Sequence, residues 1–383
     1  MVQATFEFNP LAAAGAASAT PAAARNSQRP AHPGGADAQA LDSVGFEIGW
    51  DHAHHRVTPP LGHLHQPNPV HQGWLAGRTA FGARKLAATA AVRQWLALRL
   101  QAWQQGAAFE GVQVNPSFLS RIDAVDCPVS RQLMTLSASL HSDATVTRLN
   151  PAAAYAAGNL VVLSQRVAAA ADTPANAATG LNADEQARLA VLRSFATPLP
   201  HAQAALLPLR VLPPNRVRVI NPVQALQVML TLQFLQAGYA RRLLGLAVLM
   251  PSSETRQAFH IFMHTLLARR LSTGQGATLA DMRRAMEDSW ADVLVNRRWQ
   301  RLASRLTAAD CELLLQRASQ RSLVVGGSRW VSRECATEGW ALEAGLAPAA
   351  RQALPQPADQ DRPGSAVTRP GMARSLGSQK LAS

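Results

Sequence analysis

Cysteine is scarce in this chain, which has 383 residues and only three cysteines, Cys127, Cys311 and Cys335. Cysteines this few and this far apart exclude a small secreted protein held by disulfides and any zinc module with four cysteine ligands. A secretory signal also fits poorly, because no basic residue precedes the Ala-rich stretch that begins at Leu11. We therefore expect a cytoplasmic protein.

Lysine is almost absent. Lys85 and Lys380 are the only lysines among the 37 basic residues, so arginine supplies the rest. Acidic residues number 24, which leaves a net charge of +13. A surplus of this size is typical of proteins that bind nucleic acid or an anionic surface. Arginine and alanine are also the usual products of a GC-rich genome, so the charge alone does not decide whether it serves a ligand.

Charged residues make up 16% of the chain, below the average of about 25%, and apolar residues make up 48%. This composition excludes a wholly disordered chain and a charged coiled coil. The apolar stretch 222–238 is interrupted by glutamines and followed by arginines, at Gln224, Gln227, Gln233, Gln236, Arg241 and Arg242. We therefore reject a membrane span and expect no membrane partner.

Composition divides the chain into five parts. Residues 1–43 and 347–383 are rich in Ala, Pro, Gly and Ser and are predicted to be disordered tails. Between them we expect an α+β domain at 44–172, a proline-rich linker at 173–221 and an all-α domain at 222–346. The predicted fold class is therefore mainly α with a small α+β part.

Helix signals are clear in several places. Apolar residues recur along one face from Thr79 to Gln104, and Gly106 is placed to end this helix. In the second domain Ser253, Thr278 and Thr307 each precede a helical pattern. The two threonines have an acidic residue three positions later, which is the capping-box pattern.

The most specific pattern runs from Cys127 to Ala170. It consists of CPVSR, a short β-prone piece, TVTRLN and then AYAAGNLVVLSQRVAAA. This order resembles the ββα metal finger of the HNH endonuclease superfamily. The resemblance implies that Cys127 opens the finger and that Val146–Leu149 is its second strand. Its loop would contain Tyr155, Gly158 and Asn159, and its closing helix would be Leu160–Ala170. It also implies that the loop asparagine binds loop backbone.

Three positions depart from the pattern of that family. Thr147 replaces the usual aspartate, Arg148 replaces the catalytic histidine, and Ala168 replaces a polar helix residue. A hydroxyl, a guanidinium and a methyl group cannot together hold a metal ion. The resemblance then implies a degenerate finger in which Arg148 contacts phosphate and Asn159 shapes the loop. In the alternative, structural interpretation, both side chains only bind neighbouring loops.

Six histidines cluster at residues 52–71, a stretch whose prolines exclude one continuous helix. In an extended chain His52 and His54 would share one face, as would His63 and His65. Two such pairs approach the tetrahedral geometry of a zinc-type site. These four are therefore candidate ligands for a divalent metal, the one cofactor that the sequence raises, and the alternative is a polar loop without metal.

Arginine and tryptophan alternate in the helical segment VLVNRRWQRLASRL. One broad face of this helix would carry Arg297, Arg298, Arg301 and Arg305. Such a face can follow a phosphate backbone, with Trp299 or Trp330 offering a ring for stacking on bases. The competing interpretation is an ordinary solvated helix face whose tryptophan belongs to the core.

Nucleic-acid binding with little or no catalysis is the function that these patterns favour. One alternative is a structural or protein-interaction role, in which the helical domain docks a protein partner and the basic charge reflects codon usage. Another is a divergent metal-dependent HNH nuclease that uses His141 and Asp143, just upstream of the predicted strand, or the clustered histidines. Salt-sensitive binding and metal dependence separate these alternatives.

Overall fold

Helices dominate the structure, which is a computed structural model. It describes residues 36–84, 86–135, 143–172, 180–274, 276–323 and 332–342. These residues form fourteen α-helices, one short 3-10 helix and one two-stranded antiparallel sheet. The mainly helical fold class with a small α+β part is thus confirmed. The predicted disordered tails, 1–43 and 347–383, lie outside the described residues except for residues 36–43.

The helices follow one another through short connections. In chain order they are α1 Ala36–His54, α2 Pro69–Phe81, α3 Ala90–Gln104, α4 Pro116–Ile122, α5 Gln165–Asp172, α6 Ala183–Phe195, α7 His201–Leu206, α8 Pro222–Gln233, α9 Tyr239–Ala247, α10 Ser253–Ser272, α11 Leu279–Ser289, α12 Val293–Ala303, α13 Ala308–Gln320 and α14 Arg333–Ala336. The 3-10 helix Leu61–His63 lies between α1 and α2, and strands β1 Ala144–Arg148 and β2 Leu160–Ser164 lie between α4 and α5. No helix in the described ranges is both long and apolar enough to cross a lipid bilayer.

Helix α1 corrects two predictions. It includes residues 36–43, which we placed in the disordered tail, and the histidine stretch up to His54, which we treated as extended. The reason is that the first proline of this region is Pro59, so nothing upstream of it prevents helix formation. The prolines act only later: α2 begins at Pro69, where Asn68 caps the helix by accepting the Val70 backbone N–H at 2.9 Å.

Glycines bring α1 and α2 into close backbone contact. A Cβ atom on Gly49 would lie 1.9 Å from the Val70 carbonyl oxygen, and one on Gly73 would lie 1.9 Å from the Phe46 carbonyl oxygen. Neither space admits a methyl group. This helix pairing therefore requires residues without a side chain at both positions.

The predicted helix Thr79–Gln104 is two helices. Helix α2 ends at Phe81 and is followed by Gly82 with φ of +48°, a conformation that suits glycine. Helix α3 begins only at Ala90, where Thr89 caps it. The predicted end is confirmed, because α3 stops at Gln104 and Gly106 adopts φ of +61°.

Strands β1 and β2 pair in antiparallel register, with Ala144 opposite Ser164 and Arg148 opposite Leu160. Strand β1 covers the predicted strand Val146–Leu149 except for its last residue. The predicted helix Leu160–Ala170 is wrong in its first half, since Leu160–Ser164 is β2 and the helix α5 begins at Gln165. Because β2 is buried along its whole length, its apolar run has no alternation to distinguish it from a buried helix.

The C-terminal helices begin where their capping residues predict. Thr278 and Thr307 cap α11 and α13, and each side-chain oxygen accepts the backbone N–H three residues later at 3.1 Å. Both caps are complete capping boxes, as predicted. The cap of α10 is Ser252 and not Ser253, because Ser252 has extended backbone and Ser253 is already the first residue of the helix.

The predicted linker 173–221 does not separate two domains in the described residues. It contains α6 and α7, and Leu192 and Phe195 in it are fully buried. One hydrophobic cluster extends from Cys127 to Trp340 and takes residues from both predicted domains. All the described residues fall within a single unit that ends at Leu346. The described prolines of this stretch, Pro198, Pro200, Pro208, Pro213 and Pro214, lie between helices α6, α7 and α8.

Candidate functional site

The loop between β1 and β2 is organised by Asn159, which is fully buried. Its side-chain oxygen accepts the Asn150 backbone N–H at 2.8 Å. Its amide nitrogen donates to the carbonyl oxygens of Asn150 at 3.1 Å and Ala154 at 2.9 Å. Buried in this way, Asn159 shapes the loop and has no surface with which to touch nucleic acid, which corrects its place among the predicted binding residues.

Arg148, at the end of β1, is committed to the same loop. Its Nη1 donates to the carbonyl oxygens of Pro151 and Ala153, both at 2.9 Å, and its Nη2 donates to Gln105 Oε1 at 3.3 Å. Its guanidinium carbon also lies 4.5 Å from the centre of the Tyr155 ring. These contacts match the structural interpretation of Arg148, and they use three of the five N–H donors of its guanidinium.

The C-terminal segment 332–342 closes over this loop. Trp340 is fully buried, and its indole nitrogen donates to the Ala157 carbonyl oxygen at 3.0 Å. The Trp340 carbonyl oxygen accepts the Ala154 N–H at 2.7 Å. Arg218 donates to the Ala336 carbonyl oxygen at 2.8 Å, and burial lowers the pKa of this guanidinium. The loop is therefore largely buried, with Pro151 and Ala152 as its exposed residues.

Cys127 lies beside the end of β2 and is fully buried. Its sulfur accepts the Ser164 hydroxyl at 3.6 Å. Burial raises the pKa of the Cys127 thiol, but hydrogen bonds from Ser130 and Ser164 outweigh it and leave the pKa below its ordinary value. The predicted proximity of Cys127 to the hairpin is thus present, within a closed environment.

The candidates for nuclease chemistry find little support in the described residues. His141 lies outside them. The Asp143 carboxylate accepts a hydrogen bond from the Thr135 hydroxyl at 2.7 Å. The Asp143 backbone carbonyl oxygen accepts the Gln165 backbone N–H at 2.8 Å, so this residue joins β1 to the start of α5. No three His, Cys, Asp or Glu side chains come together as a metal-binding group in the parts of the chain that the structure describes.

The described residues do not bring His52, His54, His63 and His65 together as a metal-binding group. His52 is buried on α1, its Nδ1 lies 2.8 Å from the Ile48 carbonyl oxygen, and burial lowers its pKa. His54 stacks on a phenylalanine ring instead of sharing a face with His52. Burial also lowers the pKa of His63, whose Nε2 lies 2.7 Å from the side-chain amide nitrogen of Gln104. A helix turns residues two positions apart to different faces, and this separates the predicted pair.

The arginine face of α12 is present and accessible. Arg297, Arg301 and Arg305 are exposed and Arg298 is half-buried. None of these four forms an ion pair with an acidic residue that the structure describes. By contrast, carboxylates pair with the guanidinium groups of Arg99, Arg131, Arg166, Arg210, Arg269, Arg283 and Arg284.

The predicted stacking ring beside this face is not available. Trp299 is 1% exposed, and its indole nitrogen donates to the Ala205 carbonyl oxygen at 3.0 Å. It packs against Phe262 and Trp290 in the core. Trp330, the other predicted ring, lies outside the described residues. The arginines therefore form a charged face without an adjacent described aromatic platform.

No protein-family model, curated protein or solved structure matches the chain. Its function therefore has to follow from the chemistry of its own residues.

One surface feature was missed by the sequence predictions. Phe46, Trp50 and His54 stand four residues apart on α1, and all three are partly exposed. Phe81, at the end of α2, lies between Trp50 and His54, with ring centres 5.0 Å and 4.4 Å away. The four-residue spacing was the available signal, but it has meaning only on a helix, and we had treated this stretch as extended.

Proposed function

We propose that this protein binds nucleic acid through the arginine face of α12. The observation that carries the proposal is the row Arg297, Arg301 and Arg305, which is exposed and has no acidic partner among the described residues. Residues four apart on a helix are separated by about 6 Å along its axis. Arg297 and Arg301 are therefore about 6 Å apart along α12, and Arg305 follows two residues beyond the end of the helix, so the row can reach more than one phosphate of a duplex.

The charge of these arginines is not used elsewhere in the fold. Seven other arginines are neutralised by carboxylates, and Arg148 donates to loop carbonyl oxygens. An exposed guanidinium has no structural partner to lose when it binds a phosphate oxygen, and its fork can bind two oxygens. Arg305 donates from Nη1 to the Arg301 carbonyl oxygen at 2.6 Å, so its guanidinium already has one backbone contact. Exposed arginines at this spacing that lack an acidic partner among the described residues favour a backbone-binding role without base recognition.

We also propose that residues 127–172 are a degenerate finger of the HNH type that has kept its architecture and lost its chemistry. In support, the hairpin β1–β2 is followed directly by α5, the loop asparagine binds loop backbone, and Cys127 lies beside β2. Against catalysis, Arg148 donates to the loop in place of a catalytic histidine. On this proposal the finger contributes stability and α12 contributes binding.

The test compares two triple variants with the same loss of charge. Replacing Arg297, Arg301 and Arg305 by alanine removes the proposed contacts, whereas the control replaces Arg93, Arg121 and Arg241, which are exposed on other helices. Fluorescence anisotropy with a labelled duplex is followed across a salt series. We expect the α12 variant to weaken binding by about tenfold or more at low salt and to reduce the salt slope by about 2.7, since each phosphate contact contributes about 0.9.

The control variant should keep most of the affinity and of the salt slope. Equal losses in both variants would show that net charge, and not the α12 face, drives binding. Absence of binding by the unchanged protein at low salt would contradict the proposal and favour the protein-interaction alternative. Metal-dependent cleavage of the duplex would instead support the divergent nuclease.

A further inference from the structure

Four aromatic rings form a continuous row on α1 and α2, here called the ring row: Phe46, Trp50, Phe81 and His54. Adjacent ring centres are 6.3 Å, 5.0 Å and 4.4 Å apart in that order. The Phe46 and Trp50 rings, and likewise the Phe81 and His54 rings, lie nearly parallel, with angles of 27° and 18°. All four side chains are partly exposed, so the row is a surface feature.

The ring row is not needed to fill the core beneath these helices. That core consists of Ile48, Val70 and Leu100, with Trp103 packed against it. The members of the ring row belong to none of the hydrophobic clusters of the described residues. Each of the four rings is mostly buried but keeps part of its surface in solvent. A contiguous exposed aromatic surface of this kind is typical of a binding surface.

Three exposed arginines lie close in sequence to residues of the ring row. Arg56 follows His54 by two residues, and Arg84 donates its backbone N–H to the Phe81 carbonyl oxygen at 2.7 Å. Arg78, in the last turn of α2, lies over the ring of Trp74 at 4.7 Å. All three arginines are exposed, and none forms an ion pair with an acidic residue in the described ranges.

We propose that the ring row binds single-stranded nucleic acid, with unpaired bases stacking on Trp50 and Phe81 and the backbone phosphates contacting Arg56, Arg78 and Arg84. The inference rests on the proposed function and goes beyond it, because the ring row would be a second site, for unpaired bases, on α1 and α2. Flat rings beside cations complement a ligand that has flat rings beside anions. A duplex does not meet this requirement, because its base faces are already stacked on each other and only base edges are accessible.

The experiment uses the full chain with a labelled oligothymidylate and a labelled duplex in parallel anisotropy titrations. Phe81→Leu removes the ring face and keeps an apolar side chain, and Phe81→Tyr keeps the ring. We expect Phe81→Leu to weaken binding of the single strand by about tenfold, the loss that one base stack typically produces. Phe81→Tyr should bind like the unchanged protein, and duplex binding should be the same in all three.

A matched control is Phe109→Leu, which removes another half-buried ring that stacks on Tyr155 at 6.4 Å, away from the ring row. Circular dichroism and thermal unfolding establish that each variant is folded, and Trp50→Leu gives a second test if Phe81→Leu is not. The inference is overturned if Phe81→Leu and Trp50→Leu leave single-strand binding unchanged, or if binding of anionic vesicles replaces that of the oligothymidylate.

Failure of this inference is distinct from failure of the proposed function. If the α12 triple variant loses both ligands while Phe81→Leu loses neither, nucleic-acid binding stands and the ring row has no part in it. If the unchanged protein binds neither ligand, both proposals fall.

Discussion

Two residues, Asn159 and Arg148, hold the β1–β2 loop through hydrogen bonds to its backbone. Asn159 binds it from within the core, and Arg148 binds it from the end of β1 through carbonyl oxygens and the Tyr155 ring. The role of the asparagine follows from its residue type, since a short amide suits irregular backbone. The role of Arg148 does not follow from its residue type, because a guanidinium binds both carbonyl oxygens and phosphates. Only the folded loop brings the carbonyl oxygens within reach of it.

Asn159→Ala is expected to lower the free energy of unfolding by about 2–4 kcal/mol. The substitution deletes three hydrogen bonds and leaves the Asn150 N–H and the loop carbonyls without their partner in a buried site. Urea unfolding measures the change. Asn68→Ala, which removes a helix cap near the surface, is the comparison and should cost about 1 kcal/mol. Equal costs would mean that the loop does not depend on its buried amide.

Among the helices and strands, those with local signals were predicted well. The capping boxes of α11 and α13 need only residues three apart, and Gly106 needs only its own backbone freedom. Strand β2 and helix α1 were missed because their state depends on distant partners. β2 is a strand through pairing with β1, and α1 is stabilised by packing against α2. The exposure of Arg297 and Arg301 on α12 follows from local helical spacing, whereas the burial of Trp299 depends on tertiary contacts.

Gly49→Ala should weaken the pairing of α1 with α2. Alanine favours a helix interior by about 1 kcal/mol over glycine, but the added carbon would overlap the Val70 carbonyl oxygen. Overpacking of this kind costs about 1–3 kcal/mol or more, so the clash outweighs the propensity. Hydrogen exchange of α1 and α2 amides reports the loosening. Gly62→Ala, where the added carbon meets no atom within 4 Å, provides the control; similar exchange in both variants would contradict the close approach.

Over the whole molecule, contacts across the predicted boundaries make one folding unit. Glu287 on α11 is buried and accepts hydrogen bonds from Arg131, from Arg283 and from the Leu212 backbone N–H. Arg188 donates to the Val129 carbonyl oxygen at 2.6 Å. The turn that contains Cys127 is thereby fixed to helices far along the chain. Composition shifts had predicted separate domains because they report local sequence and not such contacts.

Trp340→Ala is expected to destabilise this entire unit by about 3–5 kcal/mol, the usual cost of deleting a buried tryptophan. The indole fills the space against the loop and donates to Ala157, so its loss opens a cavity and leaves a carbonyl unpaired. Thermal unfolding with two probes should show a single transition at a lower temperature. Leu342→Ala, in the same segment but 39% exposed, should have little effect; a comparable loss there would contradict the specific role of the indole.

The position of Trp340 also bears on how the protein is made. The indole seals a loop whose residues are synthesised more than a hundred positions earlier. In a nascent chain the alanine-rich loop between β1 and β2 therefore lacks its contact with Trp340 until nearly all of the core has emerged from the ribosome. The native contacts of the loop are therefore completed only after Trp340 has been synthesised, and chains that end before it lack the side chain that closes the loop.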